Sequence, residues 1–145
     1  MTEQQANQKD HRTAAGGSTL STVANGENRA WLRRRADAFR WAFTGIGTLF
    51  RTQVHPWIHL TATALVILFG VFLEVSTTEW VQLAIVTGMV WTAEALNTAL
   101  EFAVDLASPE YHDLARHSKD VSAAAVLFAS LTAAICAALI FLPRL

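Results

Sequence analysis

Four polar residues form a row inside an otherwise apolar stretch that is long enough to cross a membrane: Glu94, Asn97, Glu101 and Asp105. Their spacings of three, four and four residues place all of them on one helical face, because a helix advances about 100° per residue. An ionised carboxylate in hydrocarbon costs about 3 kcal/mol or more, so such residues face a partner or an ion. We therefore interpret this face, called the polar row below, as a functional site.

The two outer carboxylates of the polar row predict a cation site. Glu101 and Asp105 lie in the last turns of the predicted helix, where the carbonyl ends already carry partial negative charge, so a cation must compensate for them. Arg116 and Lys119 of the following segment are candidates, but a hard divalent cation such as Mg²⁺, bound through carboxylate and phosphate oxygens, fits better. Lys119 would then hold phosphate, and Asp120 would hold the metal.

Glu94 suits a different role, because it lies about 10 Å deeper along the helix than Glu101. A carboxylate with little access to water is suited to act as a general base that takes a proton from an alcohol arriving from the bilayer. Asn97, one turn nearer the aqueous side, would orient the base or the hydroxyl. Together these groups predict in-line phosphoryl transfer from a soluble nucleotide to a membrane-embedded alcohol. The row alone also leaves open structural pairing between helices and an ion-conducting path.

Composition places these residues in a membrane protein of one domain. Of the 145 residues 52% are hydrophobic, and the apolar residues are concentrated after position 56, which is unusual for a soluble protein of this size. The net charge of −1 argues against a nucleic-acid partner, and the five histidines and the single Cys136 are interpreted as neither a zinc site nor a disulfide. Residues 1–28 predict a disordered tail, which leaves 29–145 as the membrane domain.

The periodicity predicts an all-α membrane protein with three transmembrane helices and an N-terminal amphipathic helix at about 31–51 that lies on the membrane surface. Pro56 can start the first span, at about 57–73. Ser76 and Glu79 have the spacing of a capping box and open the second span, at about 80–103, which Trp80 anchors at the interface.

The rest of the chain predicts the third span and the orientation. Ser108 before Pro109 resembles a further helix start, so the segment up to Asp120 is predicted to be a loop or a short surface helix. The third span then covers about 121–142. Arginines precede the first span, Arg116 and Lys119 follow the second, and the first loop contains no Lys or Arg. By the positive-inside rule the N-terminus is cytoplasmic and the C-terminus is outside.

Several runs of this sequence resemble the small prokaryotic diacylglycerol kinase and undecaprenol kinase family: AEALNTALE at 93–101, SPEYH at 108–112, SKD at 118–120 and AAAV at 123–126. The similarity covers about Trp31 to Leu145. It implies a homotrimer in the bacterial inner membrane, active sites shared between neighbouring subunits, and Mg²⁺-ATP as the donor that phosphorylates undecaprenol or diacylglycerol. A trimer is also expected because three spans of one subunit give the polar row too few partners to shield it from lipid.

By position, the resemblance implies a role for each site residue. Glu94 matches the catalytic base, where it meets the lipid substrate, Glu101 matches a metal ligand, and Asn97 and Asp105 are their neighbours. The residues matching ATP, phosphate and metal contacts are Glu110, Tyr111, His112, Lys119 and Asp120, with Arg34 and Trp41 of the surface helix as further nucleotide contacts.

Gln53 departs from the family pattern, which commonly has a glutamate shared in metal binding at this position. A glutamine offers a carbonyl oxygen but no charge, so it would be a weaker metal ligand. His59 follows an Ile-His-Leu form typical of undecaprenol kinase-like members, which favours that acceptor slightly. The departure at Gln53 motivates one rival hypothesis, a catalytically weakened membrane scaffold. A cation or proton conductor is the other.

Overall fold

The computed structural model describes Trp31 and residues 33–145, and this part of the chain is helical without any strand. The helices are α1 (residues 33–52), α2 (His55–Phe72), α3 (Thr77–Ala107) and α4 (Asp113–Phe141), followed by a 3-10 turn at Leu142–Arg144. Three of them, α2, α3 and α4, are long and apolar enough to cross a membrane. The predicted fold class is confirmed. The predicted tail at 1–28 lies outside the described residues.

The described residues fall into two compact units, with the boundary between Ile46 and Gly47. In the first unit, α1 exposes Phe39, Trp41 and Phe43 to about 70% each, and the Arg35 guanidinium lies 4.3 Å from the centre of the Trp31 ring. Large exposed apolar side chains beside arginines are typical of a helix at a membrane surface. The location of α1 on a membrane stays a prediction.

Local sequence signals explain where α2 and α3 begin. Pro56 lies in the first turn of α2, where its missing amide hydrogen has no partner to lose. At the start of α3 the predicted capping box is present. The Ser76 hydroxyl accepts from the Glu79 amide, and the Glu79 carboxylate accepts from the Ser76 amide at 2.8 Å. The two residues thus satisfy backbone donors that a first turn leaves unpaired.

The connection between α3 and α4 differs from the prediction. Ser108 does not start a helix, because its amide donates to the Val104 carbonyl and closes the last turn of α3. Pro109 accounts for this, since a proline disfavours helical backbone in the residue before it. α4 begins at Asp113, where the His112 ring accepts from the Leu114 amide at 3.1 Å. Residues 113–120 are therefore the first two turns of α4, and not a loop or a separate surface helix.

The opposite end of the bundle contains its apolar core, which is formed by Val75, Leu83 and Ile140. The Arg144 guanidinium donates to both Glu79 carboxylate oxygens, at 2.7 and 2.8 Å, and so joins the end of α4 to the start of α3. These contacts hold the last turn of the chain against the start of α3.

Trp80, which the sequence predicts as an interface anchor, lies directly over Gly70 of α2. A methyl group added at Gly70 would approach the Trp80 ring to 2.6 Å, a distance that non-bonded carbon atoms do not tolerate. Gly70 is therefore the position that lets α2 and α3 approach each other here.

We expect Gly70→Ala to destabilise the bundle by about 1–3 kcal/mol, because the indole must move away from the new methyl group. The measurement is thermal unfolding in detergent, followed by circular dichroism. In a Trp80→Leu background the same change should cost much less, since the clashing ring is gone. An equal loss in both backgrounds would show that the ring does not cause the effect.

Candidate active site

Glu94 is the most enclosed polar side chain among the described residues, with 1% of its surface exposed. His59 Nε2 lies 3.6 Å from Glu94 Oε2, and His55 Nδ1 lies 3.9 Å from Glu94 Oε1. Oε1 has no hydrogen-bond partner. The expectation that one subunit cannot shield the polar row is wrong for Glu94, because α2 of the same chain covers it.

About two turns further along α3, the polar row forms a chain of hydrogen bonds that includes Glu101. Gln53 Nε2 donates to Glu101 Oε2 at 2.8 Å, and Asn97 Nδ2 donates to Glu101 Oε1 at 3.1 Å. Ser122 Oγ of α4 donates in turn to Asn97 Oδ1 at 2.6 Å. The residue before α2 therefore meets the Glu101 carboxylate directly, and α4 is joined to it through Asn97.

The connection between α3 and α4 encloses a polar cleft of about 310 Å³. Most of the predicted nucleotide-binding residues line it: Asp105, Glu110, Tyr111, His112 and Lys119. Lys119 Nζ lies 2.5 Å from Asp105 Oδ1. Because this lysine is half-buried and the aspartate is exposed, the ammonium group is available to an incoming anion.

Two further predicted site residues of the helical bundle, Glu101 and Asp120, do not line this cleft. Asp120 pairs with Arg116 at 3.4 Å on the exposed side of α4, whereas Glu101 is bound by amides one turn deeper than Asp105. Arg34 and Trp41 are exposed residues of α1. Within Trp31 and 33–145, no three His, Cys, Asp or Glu side chains gather as a preformed metal site.

The sequence profile described as prokaryotic diacylglycerol kinase matches residues 40–141. The chain belongs to this family of membrane lipid kinases. Its similarity to individual relatives is consistent with that assignment. An undecaprenol kinase of Bacillus subtilis is 35% identical over 119 residues, which covers 82% of this chain and 97% of the relative.

Two relatives named diacylglycerol kinase are matched over shorter stretches. The one from Synechocystis is 38% identical over 109 residues, 74% of this chain and 62% of the relative. The one from Escherichia coli K12 is 36% identical over 74 residues, 51% of this chain and 61% of the relative. The predicted resemblance and the predicted enzyme class are thereby confirmed.

A groove of about 940 Å³ runs along the kinase between α3 and α4. Its walls are almost wholly apolar, and the Asn97 and Ser122 side chains supply polar groups within it. Glu94 does not line this groove, since its carboxylate faces α2. The polar row is thus divided between the α2 side, which receives Glu94, and the α4 side, which receives Asn97.

Sequence reasoning missed four residues of this site. They are His55 and His59 beside Glu94, Ser122 beside Asn97, and Thr98, whose buried hydroxyl oxygen has no partner. One signal was available, since His55 and His59 are four residues apart and so share a face of α2. His59 was interpreted only as a sign of the lipid acceptor, and so the face that it shares with His55 was left unused.

Gln53 provides a direct test of the predicted metal position. Replacing it by glutamate removes the bond to Glu101 and places two carboxylates together, an arrangement that a divalent cation relieves. We therefore expect Gln53→Glu to lower the Mg²⁺ concentration for half-maximal activity several-fold, and Gln53→Ala to raise it.

The measurement is a Mg²⁺ titration of initial rate at fixed free ATP. Thr52→Ala is the matched control, because the exposed Thr52 hydroxyl bonds only within its own helix, to the Thr48 carbonyl. Superimposable curves for all four proteins would mean that Gln53 does not serve the metal.

Proposed function

We propose that this kinase transfers the γ-phosphate of ATP to the hydroxyl of a membrane lipid alcohol, undecaprenol or diacylglycerol, at the cytoplasmic side of the bacterial inner membrane. The observation that carries this proposal is the burial of Glu94: its carboxylate is 1% exposed, lies on a helix that is long and apolar enough to cross a membrane, and leaves Oε1 without a hydrogen-bond partner. Burying such a carboxylate costs free energy, and a catalytic role accounts for that cost. A scaffold has no use for it, and a conductor would need polar groups across the whole bilayer rather than towards one end of α3.

Glu94 acts as the general base in this proposal. Its Oε1 takes the proton of the acceptor hydroxyl while the hydroxyl oxygen attacks the γ-phosphorus, in line with the leaving oxygen of ADP. Oε1 is closed to solvent, so the hydroxyl reaches it when the neighbouring His55 side chain, which is 68% accessible, moves aside. Asn97 is bound to both Glu101 and Ser122, so it orients groups between the base and the nucleotide.

The cleft between α3 and α4 binds the nucleotide. Lys119 exchanges its Asp105 partner for phosphate oxygens, which converts an exposed ion pair into a charge-assisted contact with the substrate. Tyr111 is 79% exposed and offers an aromatic face at the rim, beside Glu110 and His112. Arg34 and Trp41 are proposed as further nucleotide contacts.

The depths of the carboxylates support a common path for the triphosphate. Asp105, Glu101 and Glu94 succeed one another along α3 at intervals of about 6 and 10 Å. A triphosphate that enters at the cleft therefore runs along the polar row towards the base.

Glu101 and Gln53 fit a Mg²⁺ ion that is shared with the nucleotide, because Mg²⁺ commonly uses one or two protein oxygens and completes its shell with phosphate and water. Asp120 is proposed to join them once it leaves Arg116. When bound, Mg²⁺ supplies neutralisation of charge on the transferring phosphoryl group. The amide donors on Glu101 orient its carboxylate for this role.

Undecaprenol is the favoured acceptor, since the Bacillus subtilis undecaprenol kinase is matched over nearly its whole length and His59 stands in the Ile-His-Leu form. The apolar groove between α3 and α4 spans Ile85 to Leu100, about 22 Å of helix. It is long enough to receive part of a prenyl or acyl chain.

Phosphate transfer to lipid is tested with purified protein, ATP carrying a radiolabelled γ-phosphate, and undecaprenol and diacylglycerol in parallel vesicles. We expect a labelled lipid product, with undecaprenol preferred. Glu94→Gln should lower turnover by about 100-fold or more and still bind nucleotide, because size and hydrogen bonding are retained. Near-normal turnover of this variant at saturating lipid would exclude Glu94 as the base, and absence of any labelled lipid with the wild type would refute the function.

Sharing of sites within a trimer is tested by mixing subunits. Glu94 faces α2 and Lys119 faces the cleft. An inactive Glu94→Gln subunit therefore retains the lysine, and an inactive Lys119→Ala subunit retains the base. We expect verified mixed trimers to recover part of the activity. A complete absence of recovery would count against shared sites.

A further inference from the structure

We infer that His59 is a positioning residue for Glu94: its Nε2 holds Glu94 Oε2, which leaves Oε1 directed towards the acceptor hydroxyl. This inference rests on the proposed role of Glu94 as the base. The two oxygens of Glu94 have unlike surroundings. Among the described residues neither oxygen accepts a hydrogen bond. Oε2 lies 3.6 Å from His59 Nε2, and the His59 side chain is only 15% exposed, whereas Oε1 is closed to solvent and lies 3.9 Å from the exposed His55 ring.

His59 is itself held against the helix that bears the base. Its carbonyl accepts from Thr63 Oγ1 at 2.7 Å, and Thr63 Oγ1 accepts from Trp91 Nε1 at 3.1 Å. The Trp91 ring also meets the His59 ring edge-on, with 6.2 Å between the centres. Trp91 and Glu94 are three residues apart on α3, so they share a face. These contacts hold the α2 backbone at His59, and one side of the His59 ring, against the helix that bears Glu94.

The separation of 3.6 Å between Nε2 and Oε2 exceeds a hydrogen bond by about half an ångström. Catalytic hydrogen bonds are often long in free enzymes and shorten when the substrate binds. A carboxylate that is fixed through one oxygen presents the other in a single direction. If a carboxylate that acts as a base is no longer held in this direction, proton transfer becomes slower, while substrate binding is not weakened.

Three variants separate this role from packing. His59→Phe keeps a ring against Trp91 and removes both nitrogens, and the cavity of about 180 Å³ beside His59 has room for it. His59→Gln keeps a donor of similar reach. Thr61→Val is the control on α2, because the exposed Thr61 hydroxyl bonds only to the Trp57 carbonyl of its own helix.

We expect His59→Phe to lower kcat by about 10- to 100-fold with the KM values for ATP and lipid unchanged. His59→Gln should recover most of that loss, and Thr61→Val should match the wild type. An unchanged kcat in His59→Phe, or a His59→Gln variant no better than His59→Phe, would overturn the inference.

A double-mutant cycle supplies the sharper measurement. If His59 acts through Glu94, His59→Phe should have no further effect on the residual rate of Glu94→Gln, because the group it positions is gone. Equal losses in both backgrounds would assign His59 to packing alone. Failure of the proposed function is distinguishable, since it would appear as a wild type that labels no lipid or as a fully active Glu94→Gln.

Discussion

A carboxylate in hydrocarbon is costly unless a partner compensates for it, and the carboxylates of the polar row succeed one another along α3. Each has a different kind of partner. Glu94, the deepest, meets two imidazoles; Glu101 meets two amides; Asp105, nearest water, meets a full cation, Lys119. The partner that carries a full charge, Lys119, is therefore the one at the end of α3, and it lies in the cleft that we propose for the nucleotide.

Different segments around α3 supply those partners. α2 contributes the imidazoles, the residue before α2 contributes the Gln53 amide, and the start of α4 contributes Lys119 and Ser122. Because Lys119 and Ser122 belong to the first turns of α4, their positions relative to α3 are set by helix packing rather than by a loop. A site built on packed helices keeps its geometry more closely than one built on a flexible connection.

The sequence predicts those parts of this arrangement that depend on one helix at a time. The capping box of Ser76 and Glu79 and the shared face of the polar row follow from spacing alone. The predicted helix start at Ser108 was wrong, because a serine before a proline carries both a start signal and a stop signal, and the constraint from proline prevailed. Periodicity shows which residues share a face but not which helix that face contacts. The residues that contact Glu94 could therefore not be predicted.

The bond between Arg144 and Glu79 has a consequence for how the protein enters the membrane. It joins the start of α3 to the end of α4, so it forms only after α4 has crossed the bilayer. Until then α3 resides in lipid without Ser122 or Lys119, and its amide and carboxylate groups lack their α4 partners. Docking of α4 relieves that deficit, and small alanines on its surface allow the close approach. The polar row thus also supplies attraction between α3 and α4.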